Sequence, residues 1–361
     1  MSDEADLFAP PRSPEIDRGS AEAAARASIG VLRERIARLS DHVREVIERP
    51  WDDAIAALSE DVVVTGVGAS TGPARLFAWL LAHRLRLGAR FVPLSAFAGE
   101  SPPSARTLVV VSQGLSPNAR LALRHAPRFE QVLVLTSTRP SNSEPGLMLA
   151  EVQARGGAVV VLPPEAEEGM LLRVVGPATA ALAACAIVEH ARGADDLRSI
   201  AAKLPRVIAG AAERAALACA RLSSEELDGP CAFVSTGIDP AALQAHRWKW
   251  LEGLRAGEPF GWDLMEIAHG PIQSAWRPMP FLVLESADGV AGDLLGRLER
   301  VLAPGGHPRA VLRSELRFPF SFADHDAQLD ALLLRVLDER PRDLRTVAIA
   351  AHDQPLYDLG R

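Results

Sequence analysis

Residues Val62–Val67 form a continuous apolar run that empties into Gly66-Val67-Gly68-Ala69-Ser70, and a long apolar helical pattern follows to about Leu87. A run this short and this apolar suits a strand covered on both faces, and a glycine-rich turn that delivers such a strand to a helix N-terminus is the sequence form of an anion site. The alternation then continues. Strands are predicted at Arg90–Leu94, Thr107–Ser112, Gln131–Thr136 and Ala158–Leu162. Helices are predicted near Asn118–His125 and Pro145–Arg155, and a long one from Glu168 to Arg192. Strands alternating with helices at this spacing imply a parallel sheet with helices on both faces.

A second unit begins after Asp228-Gly229-Pro230 with the strand Cys231–Thr236 and another glycine turn, Thr236-Gly237. Strands at about Asp263–Ile267, Phe281–Glu285 and Arg309–Leu312 follow, with helices at Gly292–Val301 and Asp326–Leu337. The chain thus reads as an approximate tandem repeat of strand, glycine turn, helix, strand. The expected fold is α/β: two similar domains, each a mainly parallel five-stranded sheet between helices. The expected organisation is a disordered tail over 1–20, N-terminal helices and the first domain over 21–200, a helical connector over 201–227, and the second domain with its tail over 228–361. In the helix Ala21–Glu48, apolar residues Ile29, Leu32, Ile36, Leu39, Val43 and Ile47 recur at three- and four-residue steps. That stripe has no evident place inside either sheet unit, so a homodimer that covers it is expected.

With 361 residues and 48% hydrophobic content the chain can build a core for each domain. The formal net charge of -7 and the absence of a Lys/Arg block favour neither nucleic acid nor an anionic membrane. No run of 18 apolar residues occurs, and the acidic N-terminus has no apolar signal core; with Cys185, Cys219 and Cys231 scattered, the expected compartment is the reducing cytoplasm. The cysteines have neither metal nor disulfide spacing, so no metal and no cofactor is expected.

Candidate chemistry lies in two places. The first is the loop Ser112-Gln113-Gly114-Leu115-Ser116-Pro117-Asn118, where a buried strand opens onto hydroxyls, amides and free N–H groups at a helix start. Such loops suit oxyanions at the carboxyl ends of parallel strands; equally, Ser116 or Asn118 is simply a helix cap. The second is Lys249 to Pro271, which carries Lys249, Glu252, Glu266 and His269 around Gly257, Pro259 and Gly261. Lys249 and Glu252 project from one helical face, either as an exposed ion pair or as part of a pocket. His269 sits in a His-Gly-Pro turn, where Gly270 lets backbone or ligand approach it closely. Trp248, Trp250, Trp262 and Trp276 crowd this stretch, as core or as stacking surfaces.

The order and spacing of Gly66–Ser70, Ser112-Gln113, the Lys249-x-x-Glu252 pair and Glu266-Ile267-Ala268-His269-Gly270-Pro271 resemble the sugar isomerase (SIS) domain family, in particular the isomerase half of glucosamine-6-phosphate synthase and its deaminase relatives. The resemblance runs from about Glu45 to Arg361. It implies an aldose–ketose isomerase or an isomerising aminotransferase/deaminase acting on a sugar phosphate or amino sugar, as a homodimer with shared sites; the alternative is a non-catalytic protein that binds a sugar derivative. It implies that Ser70, Ser112 and Gln113, with Ser116 and Asn118, hold the substrate. It assigns Glu252 as the proton shuttle between C1 and C2, Lys249 beside it, and His269 to ring opening, commonly in the neighbouring subunit's site. Glu266 competes with Glu252 as base or supports the turn. The tail Asp353–Arg361 resembles the family's C-terminal segment but ends in arginine where the family has lysine, so Arg361 is a candidate partner for an anionic substrate group. Gly114 and Pro117 stand where the family has two further hydroxyls.

Overall fold

The computed structural model describes residues 18–99, 101–163, 167, 169–275, 277–289, 292–345 and 354–357. Helices α1 (Arg18–Glu48) and α2 (Asp52–Ala56) lead into the first sheet, built from β1 (Asp61–Gly66), β2 (Gly88–Phe91), β3 (Thr107–Val111), β4 (Gln131–Thr136) and β5 (Ala158–Val161). Between its strands run α3 (Thr71–Arg84), α4 (Pro117–Arg124) and α5 (Glu144–Ala154). After β5 come α6 (Val175–Ala191), α7 (Leu197–Ala209), α8 (Ala211–Ala218) and α9 (Ser224–Asp228). The second sheet comprises β6 (Ala232–Ser235), β7 (Phe260–Asp263), β8 (Phe281–Glu285) and β9 (Arg309–Arg313). Its helices are α10 (Gln244–Leu254), α11 (Pro271–Ser274), α12 (Gly292–Leu302) and α13 (Ser321–Glu339); α14 (Gln354–Tyr357) lies beyond.

Both sheets are parallel throughout. The first has the order β2-β1-β3-β4-β5 and the second β7-β6-β8-β9, so the second has four strands among the described residues, not the expected five. The order reverses between β1 and β3, and again between β6 and β8, and in open α/β sheets ligands bind outside the carboxyl ends of strands at such a reversal. The all-buried sequence of β3, TLVVV, is what a strand covered on both faces requires. Helix α6 is apolar nearly all round and buried along most of its length.

Several sequence expectations are displaced: the strand expected at Arg90–Leu94 lies at Gly88–Phe91, and the helix expected at Asp326–Leu337 runs from Ser321 to Glu339. The strand expected at Asp263–Ile267 lies at Phe260–Asp263, and the helix expected from Glu168 begins at Val175. The apolar stripe of α1 is covered within this chain, not by a second copy. Leu39, Val43 and Ile47 pack into the core around the first sheet, and Ile29 and Leu32 into the core that holds β6, β8 and α13. Residues 18–20, assigned to a tail, belong to α1, and the rest of that tail lies outside the described residues.

The halves meet closely. A Cβ at Gly72, in the first turn of α3, would stand 2.2 Å from the backbone nitrogen of Ala245 on α10, so only glycine lets these helices approach this way. That contact brings α10 to the end of the first sheet.

Candidate functional site

A cleft of about 470 Å³ opens at the β1/β3 reversal, between the turns after these two strands, the loop before α6, and one side of α10. Ser70 and Ser112 form its floor, both largely buried. Gly66 closes β1 tightly, since a Cβ there would meet the Ser70 carbonyl at 2.8 Å and the Val111 carbonyl at 3.0 Å. Ser70 begins α3 without spending its side chain on a cap, so the hydroxyl stays available to the cleft. Gln113, Gly114, Ser116 and Asn118 line the adjoining wall. Ser116 is the N-cap of α4, accepting from Ala119 N–H at 3.5 Å, and Asn118 Nδ2 donates to the Leu356 carbonyl of α14 at 2.6 Å. The capping role considered for Ser116 is therefore real and coexists with its place in the cleft, because a capping hydroxyl still has its proton to donate.

Glu252 reaches the same cleft from α10. Burial pushes its carboxyl up to about 7, although the backbone N–H and the charge of Arg173, together with Lys249, work against the shift and Glu167 adds to it. A carboxyl that titrates there is divided between acid and base at neutral pH, the condition for efficient proton transfer in both directions.

Glu167 and residues 169–174, the latter within the stretch that the sequence suggested as helix, form the third wall. Glu167 is buried and anchors it. Its carboxylate accepts from the N–H groups of Val174 and Val175 at 3.0 Å, from Gly176 N–H at 2.8 Å, and from Gln113 Nε2 at 3.0 Å. The charge thereby satisfies the first N–H groups of α6 and favours the positive end of that helix. A Cβ at Gly176 would meet the Gln113 amide carbon at 2.3 Å, so this glycine lets Gln113 reach Glu167. Met170, Leu171 and Arg173 line the cleft from this loop, and Tyr357 from α14. Glu167, Arg173 and Tyr357 are functional candidates that sequence reasoning passed over. The one local signal was Gly176-Pro177, a pair that favours a helix start over a helix interior.

Three other candidates lie elsewhere. Lys249 is buried, not in the exposed pair with Glu252 that the spacing allowed. Its ammonium donates to Asp326 at 2.6 Å and to both oxygens of Asp330 at 3.0 and 3.1 Å. Burial alone would lower its pKa, but the two carboxylates outweigh that and raise it. Burial also opposes ionisation of Asp326, yet Lys249 and His246 bring its carboxyl down to about 2; His246 Nδ1 lies 2.8 Å from it. Glu266 accepts from Asp263 N–H at 3.2 Å, the turn-supporting role weighed for it. His269 is exposed and borders a separate apolar hollow of about 190 Å³ with Met265, Leu294 and Val301. Arg361 and Trp276 lie outside the described residues. The other tryptophans do not line the cleft; Trp250 is in the second core and donates to the Leu227 carbonyl at 3.0 Å. The three cysteines are buried thiols; burial pushes Cys219 up to about 11 and Cys231 to about 12. Among the described residues no cluster of three or more His, Cys, Asp or Glu is placed to hold a metal, and no helix is long and apolar enough to cross a membrane.

No protein-family model and no curated protein matches the sequence. Solved structures do match the fold. Glucosamine-6-phosphate deaminase from Thermotoga maritima superposes with a TM-score of 0.66 at 13% identity over 88% of this chain and 97% of that one. The C-terminal domain of glucosamine-fructose-6-phosphate aminotransferase from Francisella tularensis gives 0.64 at 12% identity over 85% and 94%. Tagatose-6-phosphate ketose/aldose isomerase from Escherichia coli gives 0.63 at 17% identity over 91% and 98%. The chain has the sugar-isomerase-type fold that its sequence resembles.

Proposed function

We propose that this chain is an isomerase or deaminase of the sugar-isomerase type, with residues 21–200 and 228–361 as tandem domains. In this reading the cleft holds a sugar derivative, a sugar phosphate or an amino sugar, in open-chain form. Glu252 removes a proton from the carbon next to the carbonyl and returns it to the neighbouring carbon. The observation that carries this reading is Glu252 itself: a carboxyl raised to about 7, facing the same cleft as Ser70 and Ser112. Moving a carbonyl between C1 and C2 needs one such base and groups that neutralise the enediolate oxygen. Lys249 is tied to two aspartates, so Arg173, which lines the cleft beside Glu252, takes the neutralising role. The exposed position of His269 fits a homodimer in which it serves the partner's cleft, and light scattering at micromolar concentration tests that assembly.

The sequestration of Lys249 favours a second reading, a non-catalytic protein that binds a sugar derivative. One experiment separates the two. A thermal-shift screen of sugar phosphates and unphosphorylated amino sugars identifies binders through mass action. Each binder is then incubated with the protein in deuterium oxide, and label at C1 and C2 is followed by mass spectrometry. Proton shuttling incorporates deuterium with the natural protein and not with Glu252→Gln, which still binds. Binding without incorporation in either protein supports the non-catalytic reading and overturns the enzymatic one.

A further inference from the structure

The rim of the cleft differs from its floor. The floor is polar, whereas the rim carries Leu171 at 47% exposure and Tyr357 at 47%, with Leu356 beside it at 75%. Large apolar side chains gathered at the mouth of a ligand-sized cleft are informative in a way that a scattered exposed leucine is not. The backbone explains why Leu171 stands there. Met170, Leu172 and Val174 all pack into the second core, and the Glu167 carboxylate holds the N–H groups of Val174 and Val175. With its neighbours anchored inward on both sides, Leu171 faces outward over the cleft and cannot turn in without breaking those contacts. The Asn118–Leu356 hydrogen bond places Tyr357 in the same lining.

We infer, on the basis of the function proposed above, that the ligand is amphipathic: a polyhydroxylated sugar whose polar end meets Ser70 and Ser112, bearing an alkyl or acyl substituent that covers Leu171 and Tyr357. The loop after β3 agrees with this, because Gly114 and Pro117 offer no hydroxyl to a phosphate and affinity must come from elsewhere. Apolar contact at the rim supplies it.

The test is a calorimetric titration of glucosamine and its N-acetyl, N-butanoyl and N-hexanoyl derivatives, in which acylation leaves C1 free. Affinity should rise by about fourfold for each methylene that the rim buries. In Leu171→Ser and in Tyr357→Ser the gain in affinity per methylene should flatten, whatever the affinity of the parent sugar. Both positions are half exposed, so the variants keep the fold, which a thermal melt verifies. Equal affinity along the series, or an undiminished slope in both variants, overturns the inference while leaving the proposed function intact. Failure of the whole series to bind overturns the inference, and only failure of the sugar phosphates and amino sugars of the thermal-shift screen as well overturns the proposed function with it. If hydrogen exchange shows residues 169–173 becoming protected with protein concentration alone, a second copy covers the rim and the inference also falls.

Discussion

The crevice after β1 and β3 and its counterpart after β6 and β8 arise from the same strand order, but they differ in how the first serine of each is used: Ser70 makes no capping bond at the start of α3, whereas Ser235 is bonded into its own turn. At the second, Ser235 Oγ donates to the Ile238 carbonyl at 2.9 Å, Gly237 N–H points to the Asp263 carboxylate at 3.4 Å, and Asp239 caps the turn through Ala241 N–H. The Glu285 carbonyl receives Ser314 N–H at 2.8 Å and lies 3.1 Å from His325 Nε2, while the Glu285 carboxylate pairs with Arg313. Topology offers a crevice wherever the order reverses; the hydrogen bonds within the loops decide how many polar groups face it. The second half contributes instead through α10, which carries Glu252 across to the first crevice.

That division of labour can be broken at several points. The largest effect is expected at the buried anchor of α10. Lys249→Met leaves Asp326 and Asp330 buried without their cation and should destabilise the protein by about 3 to 5 kcal/mol in denaturant unfolding. A loss below about 1 kcal/mol would show that the anchor is dispensable.

The second effect depends on pH. The Glu252 carboxyl is raised from 4.5 to about 7, so the unfolded chain ionises first as pH climbs. Stability attributable to this group therefore falls between pH 4.5 and 7 and reaches a penalty of about 3 kcal/mol above it. Glu252→Gln removes the penalty, so its stability relative to the natural protein should improve from pH 5 to pH 8. A constant difference across that range would mean that Glu252 titrates normally.

Next is the seam between halves. Gly72→Ala forces a methyl against the Ala245 backbone and should cost about 1 to 3 kcal/mol. It should also weaken ligand binding, because Glu252 shifts with α10. A neutral result in both measurements would show that the helices slide apart freely.

The smallest effects compare the crevices directly. Ser235→Ala should cost about 1 kcal/mol of stability and leave ligand affinity unchanged, whereas Ser112→Ala should do the reverse. A serine also fits at position 114, where nothing lies within 4 Å of an added Cβ. Gly114→Ser should tighten sugar-phosphate binding by about tenfold if the loop faces the ligand. Silence of Ser70→Ala, Ser112→Ala and Gly114→Ser together would remove the ligand from this crevice.

Much of both sheets was legible because their strands are short apolar runs between turn signals; β4 of the first and β8 of the second fall at the residues their sequences indicated. Strand β7 was misplaced because it is a partly exposed edge whose alternation is weak. The loop before α6 read as helix because Met170, Leu171 and Leu172 look like a helical core. Their inward and outward alternation comes from tertiary contacts and the Glu167 clamp. The fate of Lys249 was invisible locally. Asp326 and Asp330, one turn apart on α13, have the pattern of a solvated helix face, and only packing of that face against α10 makes them the lysine's partners. Ser70, Ser112 and Glu252 were legible as candidates, the serines from the turns after buried strands and Glu252 from its spacing from Lys249; Arg173, which lines the same cleft, was not, since an arginine in an apolar run has no local signature.

The double allegiance of α1 has a consequence for how the protein is made. Its Ser28 hydroxyl accepts from Leu344 N–H across 316 residues, and Arg33 pairs with Asp338 across 305. During synthesis at about 5 to 20 residues per second, this helix therefore emerges roughly 15 to 60 s before the chain that completes its shelter. Ile29 and Leu32, whose core is completed by α13, wait out that interval, so the N-terminal half of α1 is the last part of the helix to be sheltered.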